Sequence, residues 1–530
     1  MPSKTRNFFL NALSLTLTAL IMRGVSVIFN VYISNRAGSE TMGLYSLLGS
    51  VYGFAITLGA AGINLGTTRL ISEALGKGDG NLAKKYARSA LVYCSCTGSL
   101  ASLLLFVLAP AIGSFLLGDP RAITPLRILA LTLPFVAICS CLSGYFTGVR
   151  RVKINAAFQI VAQIFKFSVT IALLTLFVGD DTEQACIALV LGGAISELIT
   201  LFFSYFLYLR DIKKLPQGSC NANPTARNIT KLLLGITLPL TFSACIRSLL
   251  TMLQHVLVPR GLQIGGASLE EALSAYGLLH GMALPIVLFP SAFISAFAGL
   301  LIPEVSEFCV QQNDVRLQRV SYRALSLSLI FSIGVSGIMV FFSDPLGKLI
   351  YADAEVGRYI RILAPLIPVM YIDSAVDAVL KGSGHQVYSM NVNIADALIA
   401  CIFALTLIPS MGIWGYVISI YATEILNTTL SLCKMTDISR IRIGAVHQVI
   451  MPLLCIIGAT NFANLILRAF KFHSFTSLDL ILQILLTVLL YMLFLFMTKT
   501  IGNDEREVIR ASLQGGHLRR RIKVRHIEKT

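Results

Sequence analysis

Charge is what this sequence has least of. Only 13% of its 530 residues are Asp, Glu, Lys or Arg, against 55% hydrophobic residues, and the mean hydropathy is +0.76. So few polar groups cannot coat a water-soluble body of this size, which excludes an ordinary globular domain. Acids are scarcer than bases, 27 against 43, leaving a formal charge of +16. A disulfide framework is also missing: of the 11 Cys residues, most, such as Cys94, Cys96, Cys139 and Cys141, lie within apolar helical runs. Cys-x-Cys on a helix points its thiols about 200° apart, so neither pair suits one metal ion. Small core residues are the better account. No P-loop, metalloprotease motif or nucleophile elbow appears, and GKGDG at 76–80 lacks the Walker spacing and reads as a turn. Hydrolytic enzyme chemistry and a bound cofactor are therefore not expected.

What is present is a succession of apolar stretches, each of about 20 residues or more and so able to cross a hydrocarbon core of roughly 30 Å. Lipid cannot satisfy backbone polar groups, and the runs are far too long for barrel strands, so an all-α polytopic membrane protein is expected. The pattern predicts fourteen spans, near 8–34, 43–66, 88–117, 122–147, 154–178, 184–209, 229–258, 273–302, 322–343, 358–381, 388–409, 412–434, 444–469 and 477–499. The first run is too long for a signal peptide, carries Arg23 and lacks a small-x-small cleavage site, so it reads as a retained helix. Fourteen spans put both termini on one side. Counting span-end residues with the adjoining loop, terminus-side segments hold 31 Lys and Arg and the opposite loops hold 9. That asymmetry predicts cytoplasmic termini. The basic tail RRRIKVRHIEK, 519–529, suits anionic headgroups. Nucleic-acid binding is a poor reading, because the bases are spread over membrane-flanking loops with no folded domain to present them.

The segment 126–160 lies over 360–394 without a gap. RILA recurs intact at 127–130 and 361–364, and Pro134/Pro368, Ile138/Ile372, Ser140/Ser374, Gly148/Gly382 and Ile160/Ile394 coincide at the same offset of 234, nine identities in 35 positions. The offset moves span four onto span ten, an even shift, so the copies share one orientation. Two parallel-related six-helix lobes are expected, at 1–210 and 229–440, with a linker at 211–228, two added spans within 441–500 and the tail at 501–530.

A cation at a helix centre costs roughly 2.5 to 3.5 kcal/mol on insertion scales, so it should face a bundle interior, a wet cavity or an anion. Arg23, Lys166 and Arg247 fall inside spans one, five and seven. Spans one and seven are repeat partners, so Arg23 and Arg247 are expected to flank a central cavity, one per lobe. The ordinary alternative is that each Arg pairs with an acid or with helix-end carbonyls. Lys166 has a stem long enough to snorkel. The acids at membrane depth are Glu197, Asp373, Asp377, Asp396 and Glu424, four of them in the second lobe. Asp377 and Lys381 suit a solvated i,i+4 pair. Asp396, with Asn393 nearby, is a candidate site for Na⁺ or a proton; Glu424 is another, and Asp373 a third.

The run LVPRGLQIGGASLEEALSAYGLLHGMALPIVLFPSAFISAFAGLLIPEVSE (257–307), with GSETMGLYSLLGSVYGF (38–54) and the fourteen-span plan, resembles the stage V sporulation protein B branch of the oligosaccharide flippases. These belong to the multidrug/oligosaccharidyl-lipid/polysaccharide exporter superfamily. The resemblance implies two lobes in a V, alternating access, and movement of undecaprenyl-pyrophosphate-linked saccharide, such as a peptidoglycan precursor, across a bacterial plasma membrane. It implies a role in cell-wall or spore-cortex synthesis, with envelope-synthesis proteins as further partners. A buried guanidinium can replace the hydration a pyrophosphate loses, which gives Arg23 a task. Related lipid II flippases carry a cavity Arg in the first helix, and Arg23 matches it by its distance from Gly38. Their next Arg is replaced here by the Phe29/Asn30 region, and their span-eight Arg is missing, with His280 the nearest ionisable group. Span seven has Gln254 and His255 where the superfamily commonly has an Asp. Competing readings are a cation-coupled multidrug antiporter of the same superfamily and a non-transporting envelope-assembly scaffold. The antiporter would want an acid in the first lobe's cavity.

Overall fold

The computed structural model describes residues 3–177, 182–215, 226–441, 444, 446–469 and 477–498. The basic tail at 501–530 and residues 216–225 of the expected linker lie outside the described residues. The first lobe runs α1 (Ser3–Ala60), α2 (Ile63–Gly76), α3 (Gly80–Ala111), α4 (Ile123–Gly148), α5 (Val152–Phe177) and α6 (Thr182–Ile212). The second runs α7 (Ala226–Ile264), α8 (Leu269–Tyr276), α9 (Leu284–Leu288), α10 (Ser291–Val310), α11 (Asp314–Phe341), α12 (Ser343–Tyr351), α13 (Ala354–Leu363), α14 (Ile367–Gly382), α15 (Gln386–Met411) and α16 (Ile413–Ser439). After these come α17 (Met451–Ala469) and α18 (Ser477–Met497). No strand occurs among the described residues.

Thirteen segments among the described residues are long and apolar enough to cross a membrane. They differ from the fourteen expected spans for local reasons. Spans one and two form one continuous helix through a kink at Gly38, whose φ of 80° and ψ of 171° favour a residue without Cβ. Span eight is split at Phe289–Pro290 into 269–288 and 291–310, and span twelve, α16, has its hydropathy diluted by Glu424, Asn427 and Thr428. Helix starts are fixed by side chains that accept the orphan amides. Asp79 takes Leu82 N at 2.9 Å, Asn313 takes Arg316 N at 3.1 Å, and Ser268 with Glu271 makes a capping box at α8.

The two lobes reuse the same contacts. A Cβ on Gly148 would lie 3.0 Å from Ile71 Cβ, and one on Gly382 would lie 2.8 Å from Val305 Cβ. Both members of each pair are separated by the offset of 234, so α4 seats on α2 as α14 seats on α10. The second span of each lobe is also broken, at Ala61–Gly62 and at Phe289–Pro290.

The lobes touch where spans two and eight begin, on the side away from the chain termini. Gly43 and Gly277, again 234 apart, cross so closely that a Cβ on either would strike the Leu273 or Ser39 carbonyl. Ser39 and Ser274 hydroxyls meet at 2.7 Å, and Asn35 Nδ2 donates to Ile350 O at 2.7 Å. One buried apolar cluster continues from Leu44, Leu47 and Leu48 of the first lobe to Tyr276, Val287 and Tyr371 of the second. The last two helices dock on α11, with Ile456 against Gly337 and Tyr491 against Gly334.

Candidate functional site

Two prolines in span eight dictate the local chemistry. Pro285 has no N–H to give the carbonyl four residues earlier, so Gly281 O is free to accept, and Asn30 Nδ2 donates to it at 3.2 Å. At the Pro290 break, Ala292 N bonds to Phe289 O, which deprives the Leu288 carbonyl of its helical donor. Ser291 Oγ fills it at 2.6 Å, and Arg23 Nη2 donates to it from the other lobe at 3.2 Å. The intervening carbonyls go to the second lobe's own tyrosines: Tyr351 OH donates to Met282 O at 3.0 Å and Tyr371 OH to Val287 O at 2.6 Å. Asn30 and Arg23 are seven residues apart, two turns along one face of α1. Span one is thereby stitched to the irregular middle of span eight, which includes a π-helical turn at Gly277–Ala283.

Beside this seam lies a cavity of about 520 Å³, adjoining one of about 450 Å³. Asn30, Tyr45, Lys166, His280 and Pro285 line both. Arg23 lines the smaller one, and Glu197 and His255 the larger. The space therefore carries two basic side chains, one acid and two imidazoles among uncharged polar groups such as Asn30, Gln163, Thr132 and Ser248 and apolar side chains. Such a lining can strip water from an anion and return hydrogen bonds to it.

Of the four expected substrate residues, Arg23, Asn30 and His280 converge here. Arg247 does not line either cavity; it is exposed, one turn toward the termini from Thr251. The Thr251 side chain lines the larger cavity and bonds the Arg247 carbonyl at 3.0 Å. The two Arg residues are not equivalent under the repeat: at the offset of 234 Arg23 falls over Leu257, and the stretch of α7 before Arg247 lies beside span two, with Thr241 donating to Ala61 O at 2.7 Å. Lys166 is a correction in the other direction: it points into both cavities instead of snorkelling away. Its charge acts on Glu197, so the acid considered for Arg23 faces the lysine, while Arg23 takes a carbonyl. Lys166 and Glu197 had no sequence signal beyond their depth in a span, and His255 only its place where related proteins commonly have an Asp, since the facing side of a helix follows from packing.

The expected ion-coupling residues form a separate group within the second lobe, and Asp373, Asn393, Asp396 and Glu424 line neither cavity. Asp373 Oδ1 and Asp396 Oδ1 are buried with no hydrogen-bond partner among the described residues. Glu424 lies within electrostatic reach of both. Asn393 Nδ2 donates to Ser389 O at 2.9 Å, and its Oδ1 receives Asn427 Nδ2 at 3.3 Å. Orphaned buried carboxylate oxygens call for a proton or another polar partner, and among the described residues no three His, Cys, Asp or Glu side chains gather closely enough to hold a metal ion. Asp377 and Lys381 form the expected i,i+4 pair at 2.7 Å.

Two broken-span lobes around a polar seam define a helical transporter, and the chain belongs to the polysaccharide biosynthesis protein family, whose model matches residues 8–309. A MatE model also matches 239–406. Among curated proteins, stage V sporulation protein B of Bacillus subtilis (strain 168) is 26% identical over 508 residues, 94% of this chain and 97% of that protein. The lipid II flippase MurJ of the same organism is 22% identical over 432 residues, 76% of this chain and 78% of its own. A solved structure of lipid II flippase MurJ in an inward closed conformation superposes with a TM-score of 0.68 at 13% identity, over 94% of this chain and all of that one.

Proposed function

We propose that this protein is a flippase for a lipid-linked saccharide, with a pyrophosphate headgroup as the part its cavity receives. One observation carries the reading: Arg23 and Lys166 line adjoining, sheltered spaces at the seam between lobes. Neither cation has an acid within ion-pair distance among the described residues, so their donors are available to an anion that has lost its water. Of Arg23's five N–H donors, one is engaged by Leu288 O. The named relatives, a sporulation protein and a lipid II flippase, support an undecaprenyl-pyrophosphate carrier and a role in envelope synthesis. The bias of Lys and Arg supports cytoplasmic termini in a bacterial plasma membrane, with the headgroup entering from that side. With no ATP motif, the driving force is an ion gradient or the membrane potential, and Asp373, Asp396 and Glu424, with Asn393, are the residues assigned to Na⁺ or a proton.

A second reading gains from one observation. A cation-coupled drug antiporter requires an acid in the first lobe's cavity, and Glu197 supplies it from α6. The deciding experiment is translocation of fluorescent lipid II in proteoliposomes at matched reconstitution. The intact protein flips it; Arg23→Ala reduces the rate by on the order of tenfold or more, the worth of a charge-assisted bond in a sheltered site. Arg23→Lys keeps the charge but loses the planar fork, and falls between. An intact protein that moves a lipophilic cation against an ion gradient and leaves lipid II in place would establish the antiporter instead.

A further inference from the structure

The larger cavity holds a close pair of imidazoles whose shared titration neither the substrate reading nor the ion-coupling group uses. His255 of α7 and His280 of the π-helical turn both line it, with ring centroids 4.4 Å apart. Each Nδ1 has a tyrosine: Tyr276 OH lies 3.1 Å from His255 Nδ1, and Tyr416 OH lies 3.4 Å from His280 Nδ1. The Tyr276 ring stacks on His280 at 5.0 Å and 9°, which fixes the pair's orientation. Next to it, the Gly281 carbonyl takes the bond from Asn30, so the imidazoles sit on the seam itself.

A neutral imidazole carries one N–H donor and one acceptor nitrogen. Two imidazolium rings this close and out of water repel, so the pair holds at most one proton at a time and titrates as a unit. The charged and titratable groups around it are few. Tyr276 lies on α8 beside the turn, Tyr416 on α16, Tyr45, Tyr52 and Arg23 on α1, Lys166 on α5 and Glu197 on α6. On the helices packed against α7 and the turn, Asp396 of α15 and Glu424 of α16 line neither cavity. Of the charged residues of α13, Arg358 lies over the Trp414 ring and Arg361 pairs with Asp344. A dianionic headgroup seated beside the pair favours a positive charge on it.

We propose that His255 and His280 form a one-proton site that is loaded when an anionic pyrophosphate enters the cavity and is emptied when it leaves. This rests on the headgroup reading above. The proton comes from water on the entry side, moves with the lipid and is returned to water on the far side, so each cycle carries one H⁺ besides the lipid. Uptake of one proton makes binding stronger as pH falls, by at most about tenfold per pH unit.

The test is calorimetric binding of undecaprenyl pyrophosphate to the full chain in lipid nanodiscs, in buffers of different ionisation enthalpy, which yields the protons taken up per ligand bound. We expect net uptake approaching one in the intact protein, retained in Glu197→Gln and abolished in the double variant His255→Gln, His280→Gln, whose affinity no longer depends on pH. Binding without proton uptake by the intact protein overturns the proton site and leaves the flippase reading standing. Uptake unchanged in the double variant overturns it equally. No binding at any pH removes the headgroup reading and the proton site together.

Discussion

Arg23 shows how one side chain answers two demands. Its depth in span one requires a polar partner, and the sequence offered an acid or a carbonyl; the carbonyl is Leu288, made available by Pro290. The remaining donors border a cavity, so the guanidinium that stitches the seam also faces a space where an anion can be received. Lys166 has no such anchor in the seam, and its role is correspondingly purer. Lys166→Met is expected to lower lipid II flipping on the order of tenfold with little change in thermal unfolding, measured by translocation and by melting of the detergent-solubilised protein. In the second lobe, Asp396 has an orphaned buried oxygen. Asp396→Asn removes the charge while keeping the shape, and transport is expected to lose its dependence on the coupling-ion gradient. Transport that keeps the full dependence in that variant assigns coupling elsewhere.

At the scale of elements, the breaks matter more than the helices. Span eight is held by donors from both lobes, Asn30 and Arg23 from one, Tyr351 and Tyr371 from the other. An alternating-access movement must break the first pair and spare the second, because only the first crosses between lobes. The seal on the side away from the termini is the crossing of Gly43 with Gly277 and of Ser39 with Ser274. With the hydroxyls 2.7 Å apart, cysteines at both positions are within reach of a disulfide. Ser39→Cys with Ser274→Cys is expected to stop transport on oxidation and recover it on reduction, read in the same proteoliposome assay; transport unaffected by a formed cross-link would mean that this seal does not open. The elements were largely legible, since apolar length and Gly/Pro placement mark spans and their interruptions. The continuous turn at Gly38 and the split of span eight were less so, because a Gly or Pro in a span bends or merely packs according to what its neighbours allow.

For the whole molecule, the repeat at an offset of 234 described the packing well: Gly148 on Ile71 and Gly382 on Val305 are one contact made twice. The functional groups do not follow that symmetry. Cations line the seam from the first lobe, whereas the unpaired acids gather inside the second. A parallel duplication thus supplies the scaffold, and divergence of a few side chains puts cations in the seam and acids inside the second lobe. Orientation is testable at this scale. Tags on both termini are expected to resist protease and membrane-impermeant label in intact cells and to be reached once the membrane is opened, as the 31 to 9 distribution of basic residues predicts.

By itself, the sequence determined the solvent, the helical class, the span order, the twofold repeat and the need for Arg23 to avoid lipid. These follow from transfer free energies and periodicity, which act on each segment separately. Only the tertiary structure decided that Arg247 stays outside the cavities while Lys166 enters them, that Glu197 faces the lysine, and that His255 meets His280. Those outcomes depend on how each helix is rotated about its axis, and rotation is set by packing against neighbours distant in the chain, of which a single span carries no record.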